Sequence, residues 1–203
     1  MATNTDLETI RRTQIITAAL AKLSEAGSFE VTLDDIARAA GLSKGGLAHY
    51  FSSKEELVRA AFREFFDRIF LRSKETMDRC PDPVSKLLSF SWLYNWDDPD
   101  VNLGYPLLFD CMALAARDPE YRALFHDWVR SWIVLLEEAV HEGIKRGVIP
   151  KCDPSGKAKA ISAIYHGIAL RWYLDRESHS TEWAVRSFTE AITRLVQNIP
   201  KKR

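Results

Sequence analysis

Lys44, Gly45, Gly46, Ala48, His49 and Tyr50, with Lys54 just beyond, put donors and small residues on one short stretch of chain. The chemistry these types offer is recognition rather than bond breaking. A lysine ammonium donates to guanine O6 or N7, or to a phosphate oxygen. Adjacent glycines let a backbone come close to a large partner. His49 reads as a neutral phosphate or base contact rather than a pH switch. Two further residues, Thr32 and Ser43, are of the types that cap helices, and a capped helix end turns its free N–H groups towards anions.

The elements that must hold these groups are legible around them. Thr32 caps a first helix, and Asp35 three residues on completes a capping box. Ile36, Ala37 and Ala40 fall on one helical face, and Ala37 is small where two helices must cross closely. Gly41 supplies the left-handed conformation that ends the helix cheaply. Ser43 then caps a second helix from Lys44 to about Tyr50, with Leu47 and Phe51 turned inward. Two short helices joined by so tight a turn make a helix-turn-helix, the unit that places its second helix in the major groove of DNA.

The stretch resembles the DNA-binding end of the TetR family of bacterial transcriptional regulators. The family pattern IA..AG(V/L)SKG.LY.YF..KE.L is met by Ile36-Ala37, Ala40-Gly41-Leu42-Ser43-Lys44-Gly45, Leu47, Tyr50-Phe51 and Lys54-Glu55-x-Leu57. The resemblance is specific over about residues 9 to 66; beyond that it is a match of length and helical layout. It implies that Lys44, Gly45 and Gly46 face base edges, and that Thr32, Ser43, Tyr50 and Lys54 mostly hold phosphates. Ala48 departs from the family, which commonly has an aromatic there. A customary phosphate or thymine-methyl contact is thereby shortened, and His49 becomes the larger groove-facing side chain. Arg11 and Arg12 are placed either to meet the adjacent DNA backbone or to be surface charges.

Charge limits how such a head can bind. The whole chain of 203 residues has a formal net charge of zero. Within residues 1 to 54, Arg11, Arg12, Lys22, Arg38, Lys44 and Lys54 are balanced by Asp6, Glu8, Glu25, Glu30, Asp34 and Asp35. Affinity must therefore come from a few well-aimed donors, helix N-termini and backbone amides rather than from a basic surface. Cys80, Cys111 and Cys152 are odd in number, widely spaced and without a CxxC pair, which suits inert thiols in a reducing cytoplasmic setting. There is no signal-peptide pattern and no apolar run long enough to span a membrane.

The remaining pattern is helical throughout, giving an all-α fold of about nine helices. Residues 1–52 form the DNA-binding domain and 53–203 a ligand-binding and dimerisation domain. A first helix runs from about Thr5 to Ala26, with a Thr5–Glu8 capping box, an inward stripe of Ile15, Ala19 and Leu23, and Gly27 as its stop. A fourth helix starts at Ser53 with Glu56 as its box partner, runs to about Arg79, and turns Leu57, Ala61, Phe65 and Ile69 inward. Asp82-Pro83, Asp98-Pro99, Asp118-Pro119 and Asp153-Pro154 each join a capping aspartate to a proline suited to the first helical position. They predict helices over about 83–96, 100–116, 119–146 and 154–176, with a last one over 181–198. Lys201-Lys202-Arg203 reads as a solvated tail.

Two groups of residues carry the expectations for the body. Ile161, Ile164, Tyr165, Ile168 and Trp172 make one apolar face; Ala184, Phe188, Ala191, Ile192, Leu195 and Ile199 make another. The resemblance implies that the last two long helices form a four-helix interface with a second copy. A homodimer is also a physical requirement, since one short helix reads three or four base pairs. The second group is aromatic: Trp92 and Trp96, Phe109, Tyr121, Phe125, Trp128 and Trp132, with Trp172 and Tyr173. They lie on helices that in the family surround a small-molecule cavity, beside polar Asp110, His126, Glu137, His166 and Arg171. Aromatics with Asp110 or Glu137 suit a lipophilic cation; His166 with Arg171 suits an anion.

These readings converge on a homodimeric repressor that binds a pseudo-palindromic operator in double-stranded DNA and is released by a small lipophilic or aromatic effector, with no cofactor or metal. Control by a protein partner, or no effector at all, is the alternative. No HExxH, GxSxG or P-loop occurs, and the neighbours His126-Asp127 and His141-Glu142 point to different sides of a helix.

Overall fold

A computed structural model describes residues 4–197, with side-chain surroundings from residue 7 onward. The Thr5–Glu8 box, Ile199 and the basic tail lie outside the described residues. Nine α-helices and no strand are found among the described residues. They are α1 Asn4–Glu30, α2 Leu33–Ala39, α3 Lys44–Ala48, α4 Lys54–Asp78, α5 Pro83–Leu87, α6 Pro99–Ala115, α7 Pro119–Lys145, α8 Pro154–Leu174 and α9 Thr181–Gln197. A 3-10 turn, Phe90–Tyr94, lies between α5 and α6.

Gly27 interrupts α1 and Gly41 ends the turn after α2, at φ of 76° and 68°, a region that costs glycine little. The single helix expected over 83–96 is instead α5 followed by the 3-10 turn. The reason is competition for the last carbonyls of α5: the Ser89 hydroxyl donates to Lys86 O at 2.8 Å, and the Tyr165 hydroxyl to Leu87 O at 2.7 Å. Three of the four Asp-Pro starts cap as expected. Asp82 accepts from Val84 N and Ser85 N, Asp98 from Asp100 N, and Asp118 from Glu120 N. Asp153 precedes α8 without a side-chain cap bond. At the start of α4, Ser53 caps Glu56 N, but the Glu56 carboxylate reaches back to Ser52 rather than Ser53.

The chain divides into two compact units, Met1–Arg68 with Asn102–His126, and Ile69–Val101 with Asp127–Arg203. This division does not fall after residue 52. The first half of α4 and the segment from α6 into α7 pack with the first three helices: Phe62 meets Tyr121 edge-on at 6.0 Å, and Ser24 donates to Leu103 O. The core of this unit holds Ile15, Ala19, Leu23, Ile36, Ala37, Leu47, Phe51, Leu57, Ala61 and Phe65, all buried. The second unit is centred on Tyr94, Phe90, Tyr165, Trp172 and Phe188, whose rings pack at 4.9–5.6 Å. There α8 and α9 lie against each other.

This packing separates the residues expected on the dimer faces into two sets. Ile161, Tyr165, Phe188 and Ile192 are at most 2% exposed within one chain. They are core, since a side chain enclosed by its own protomer offers no area to a partner. Ile168 and Leu195 are half-buried and keep an outer side.

Candidate nucleic-acid interface

The head is built from caps. The Thr32 hydroxyl accepts from Asp35 N at 3.2 Å, and the Asp35 carboxylate accepts from Thr32 N at 3.0 Å, so the expected box is complete. Those hydrogen bonds, led by the Thr32 side chain, hold the Asp35 carboxyl below its ordinary range. Ser43 accepts from Gly46 N at 3.1 Å and starts α3. This helix ends at Ala48, two residues earlier than the pattern suggests. Leu47 and Phe51, each 1% exposed, pin it to the core.

The opposite side of α3 is open. Ser43, Lys44, Gly45, Ala48 and His49 are exposed, and Gly46 is half-exposed. A Cβ added at Gly45 would meet nothing within 4 Å. His49 and Tyr50 also line a groove with Leu7, Ile10, Arg11 and Gln14 of α1.

Two basic residues near the reading helix also make contacts within the chain. Arg12 donates to Tyr50 O at 2.8 Å and lies 4.1 Å over the Phe51 ring, so it ties α1 to the end of α3. Lys54 reaches Phe29 O at 3.4 Å, which places it beside the kink of α1. The reading from sequence also missed a pair: Lys44 Nζ lies 3.3 Å from Asp34 Oδ2, a contact across ten residues that no helical periodicity reports.

The residues expected around an effector fall into both units. In the first, Asp110 accepts from Ser28 N and Oγ, Phe109 lies 6.0 Å from Tyr105, and Phe125 is half-buried. In the second, Trp128, Trp132 and His166 form one cluster, with His166 at 5.4 Å and 6.4 Å from the two indoles. Phe90 closes on Trp132 at 4.8 Å. The His166 Nδ1 sits 2.7 Å from Ser162 O, so this nitrogen donates, and burial lowers the imidazole's pKa against that bond. The neutral ring then presents Nε2 as an acceptor. The buried indole N–H groups of Trp92 and Trp132 find no hydrogen-bond acceptor among the described residues.

Trp96 stacks on Trp172 at 4.0 Å, and Arg176 covers its other side at 3.3 Å. Trp172 is fully buried and donates to Thr181 Oγ1. Trp92 carries Arg72 over its ring at 3.9 Å, while the same guanidinium pairs with Asp98 and Asp100. Glu137 lies 3.7 Å from His141, and His126 and Arg171 are exposed. Burial, reinforced by nearby Asp110, pushes the Cys111 thiol up to about 12, which makes it a poor nucleophile.

A capped second helix with its donors exposed, packed against a first helix that buries Ile36 and Ala37, defines a helix-turn-helix DNA-binding head. The chain belongs to the TetR family. Residues 15–61 match the profile of the bacterial regulatory proteins of the tetR family, and residues 105–197 that of the BetI-type transcriptional repressor C-terminal region. It is 35% identical over 173 residues to the HTH-type transcriptional repressor KstR2 of Mycolicibacterium smegmatis, covering 80% of this chain and 79% of that one. With the HTH-type transcriptional regulator BetI of Serratia proteamaculans it shares 25% identity over 204 residues, 92% of this chain and 93% of the relative. A transcriptional regulator of Saccharomonospora viridis, solved in complex with choline, superposes with a TM-score of 0.83 at 20% identity, covering 93% and 98% of the two chains. The protein is thus a DNA-binding transcriptional regulator. Among the described residues no helix is long and apolar enough to cross a membrane.

Proposed function

We propose that the protein is a homodimeric repressor that reads a pseudo-palindromic operator with α3 and releases it when a small lipophilic or aromatic ligand binds in the C-terminal part of the chain. The observation that carries the DNA half is the exposed row Lys44, Gly45, Ala48 and His49 on a helix whose other side is buried. So short a helix reads only a few base pairs, and two copies on a two-fold axis supply the rest. The half-buried Ile164, Ile168 and Leu195, with the exposed Leu170 and Leu174, are what α8 and α9 leave for a second copy.

For the ligand, the Trp128–Trp132–His166 cluster offers aromatic faces, a buried N–H donor at Trp132 and a neutral acceptor at His166. Asp110 is committed to Ser28. This set favours an uncharged or cationic ligand held by aromatic faces over an anion. The choline bound by the Saccharomonospora viridis protein is a ligand of that kind. Release requires the ligand to bind the non-operator conformation more tightly, and DNA then weakens ligand binding by the same factor. Helix α4 runs through both units and is the natural lever.

The close ring contacts at 4.0 and 4.8 Å favour a second reading, in which these aromatics are core and a protein partner or no effector controls the head. Titrating the protein–operator complex with choline and a panel of lipophilic and aromatic compounds separates the two. Release of DNA together with quenched tryptophan fluorescence supports a ligand site. Retention of the complex throughout the panel supports the second reading.

A further inference from the structure

The α2 carboxylates Asp34 and Asp35 are adjacent in sequence but do different things. Asp35 is consumed by the fold, bonded to Thr32 and paired with Arg38 at 3.3 Å. Asp34 takes no part in the cap. Among the described residues its one hydrogen-bonding partner is Lys44, at 3.3 Å on the reading helix. Both side chains are open, with 54% and 71% of their area exposed. An ion pair so exposed adds little to folding. A carboxylate beside the groove-facing lysine is, moreover, repelled by every phosphate it approaches. Neither stability nor general DNA affinity accounts for it.

We infer that Asp34 is a positioning residue for DNA recognition: it holds the Lys44 ammonium off the phosphates and aims it at a base edge, trading general affinity for sequence discrimination. An ammonium has three N–H donors. One given to Asp34 leaves two, the number that guanine O6 and N7 accept. A phosphate, in contrast, is attracted by net charge, and the paired carboxylate cancels most of what Lys44 offers. The even balance of charge in residues 1 to 54 agrees with a head that avoids general attraction. The inference rests on α3 being the DNA-reading helix.

The test compares the full-length protein with Asp34→Asn and Asp34→Glu, each also in a Lys44→Ala background. The probes are a random-sequence 30-base-pair duplex pool and the duplex that the wild type enriches from it. Asp34→Asn is expected to tighten binding to the random pool roughly fivefold to tenfold near 0.1 M salt, and to steepen its log–log salt slope by about 0.9, one more phosphate contact. Binding to the enriched duplex should gain less, so the ratio of the two affinities falls. Asp34→Glu should restore the wild-type slope, and the Asn effect should vanish when Lys44 is absent. Equal tightening on both probes, an effect that persists without Lys44, or an unchanged salt slope each overturns the inference. A wild type that enriches no sequence would bring down the DNA reading of α3 as well. Enrichment with an unaltered Asp34→Asn would sink the Asp34 proposal alone.

Discussion

Asp110 in α6 accepts two hydrogen bonds from Ser28, one from its backbone N at 2.7 Å and one from its hydroxyl at 2.9 Å. Ser28 is 7% exposed and lies just past the Gly27 kink. The sequence offered Asp110 as a group facing a ligand; the structure gives it to the junction between α1 and α6, inside the first unit.

Replacing Asp110 by Ala strands the Ser28 donors and should destabilise the protein by about 1–3 kcal/mol. Ser28→Ala removes one of the two bonds and should cost less. Urea unfolding followed by circular dichroism measures both. An unchanged midpoint for Asp110→Ala would mean that water replaces the carboxylate without loss.

Gly45 has open space where a Cβ would sit and a negative φ, so the fold does not need glycine there. Gly45→Ala should raise stability by up to about 1 kcal/mol through helix propensity. The same methyl would stand between α3 and DNA, so operator binding should weaken in the same variant. A gain in stability with undiminished binding would show that α3 keeps its distance from the bases at this position.

Trp132 is 3% exposed, and truncation to Ala would cost about 3–5 kcal/mol as a cavity in the core. Trp132→Phe keeps a ring and removes only the indole N–H with part of the volume. Operator affinity should stay within about twofold while release by an inducing compound is blunted. Equal losses in both assays would identify the residue as core and nothing more.

His166 titrates below its ordinary value near 6.5 because burial disfavours the imidazolium, with the Ser162 carbonyl opposing that shift. The unfolded chain therefore takes up this proton first as pH falls. Stability should decline as pH drops through about 6.5 and level off below the folded-state pKa. His166→Gln should flatten that part of the profile in denaturant melts taken from about pH 8 to pH 5. Identical profiles for the two proteins would contradict the assignment.

The head was the most legible part because its signals are local. Thr32, Asp35, Gly41 and Ser43 act within four residues of themselves, and each does what its type and spacing imply. Asp34–Lys44 and Arg12–Tyr50 were not legible, since they join residues of different elements whose approach is set by the packing of Ile36, Leu47 and Phe51. In α8 and α9 the apolar residues were read correctly as faces, but periodicity does not say which of two faces a protomer keeps. Tyr165 and Phe188 went inside because they fit against Phe90 and Tyr94. The break at residues 88–89 depends on a hydroxyl from Tyr165, 78 residues from the carbonyl it caps.

The central claim is that the exposed side of α3 reads DNA through Lys44. Its most direct test is the affinity of Lys44→Ala for the duplex that the wild type selects, measured by mobility shift beside a circular dichroism check of the fold. Loss of the ammonium should weaken binding by about 1–3 kcal/mol, roughly fivefold to 150-fold, and relax selectivity at one base pair of each half-site. An equally tight complex with unchanged selectivity would mean that α3 does not dock through this residue.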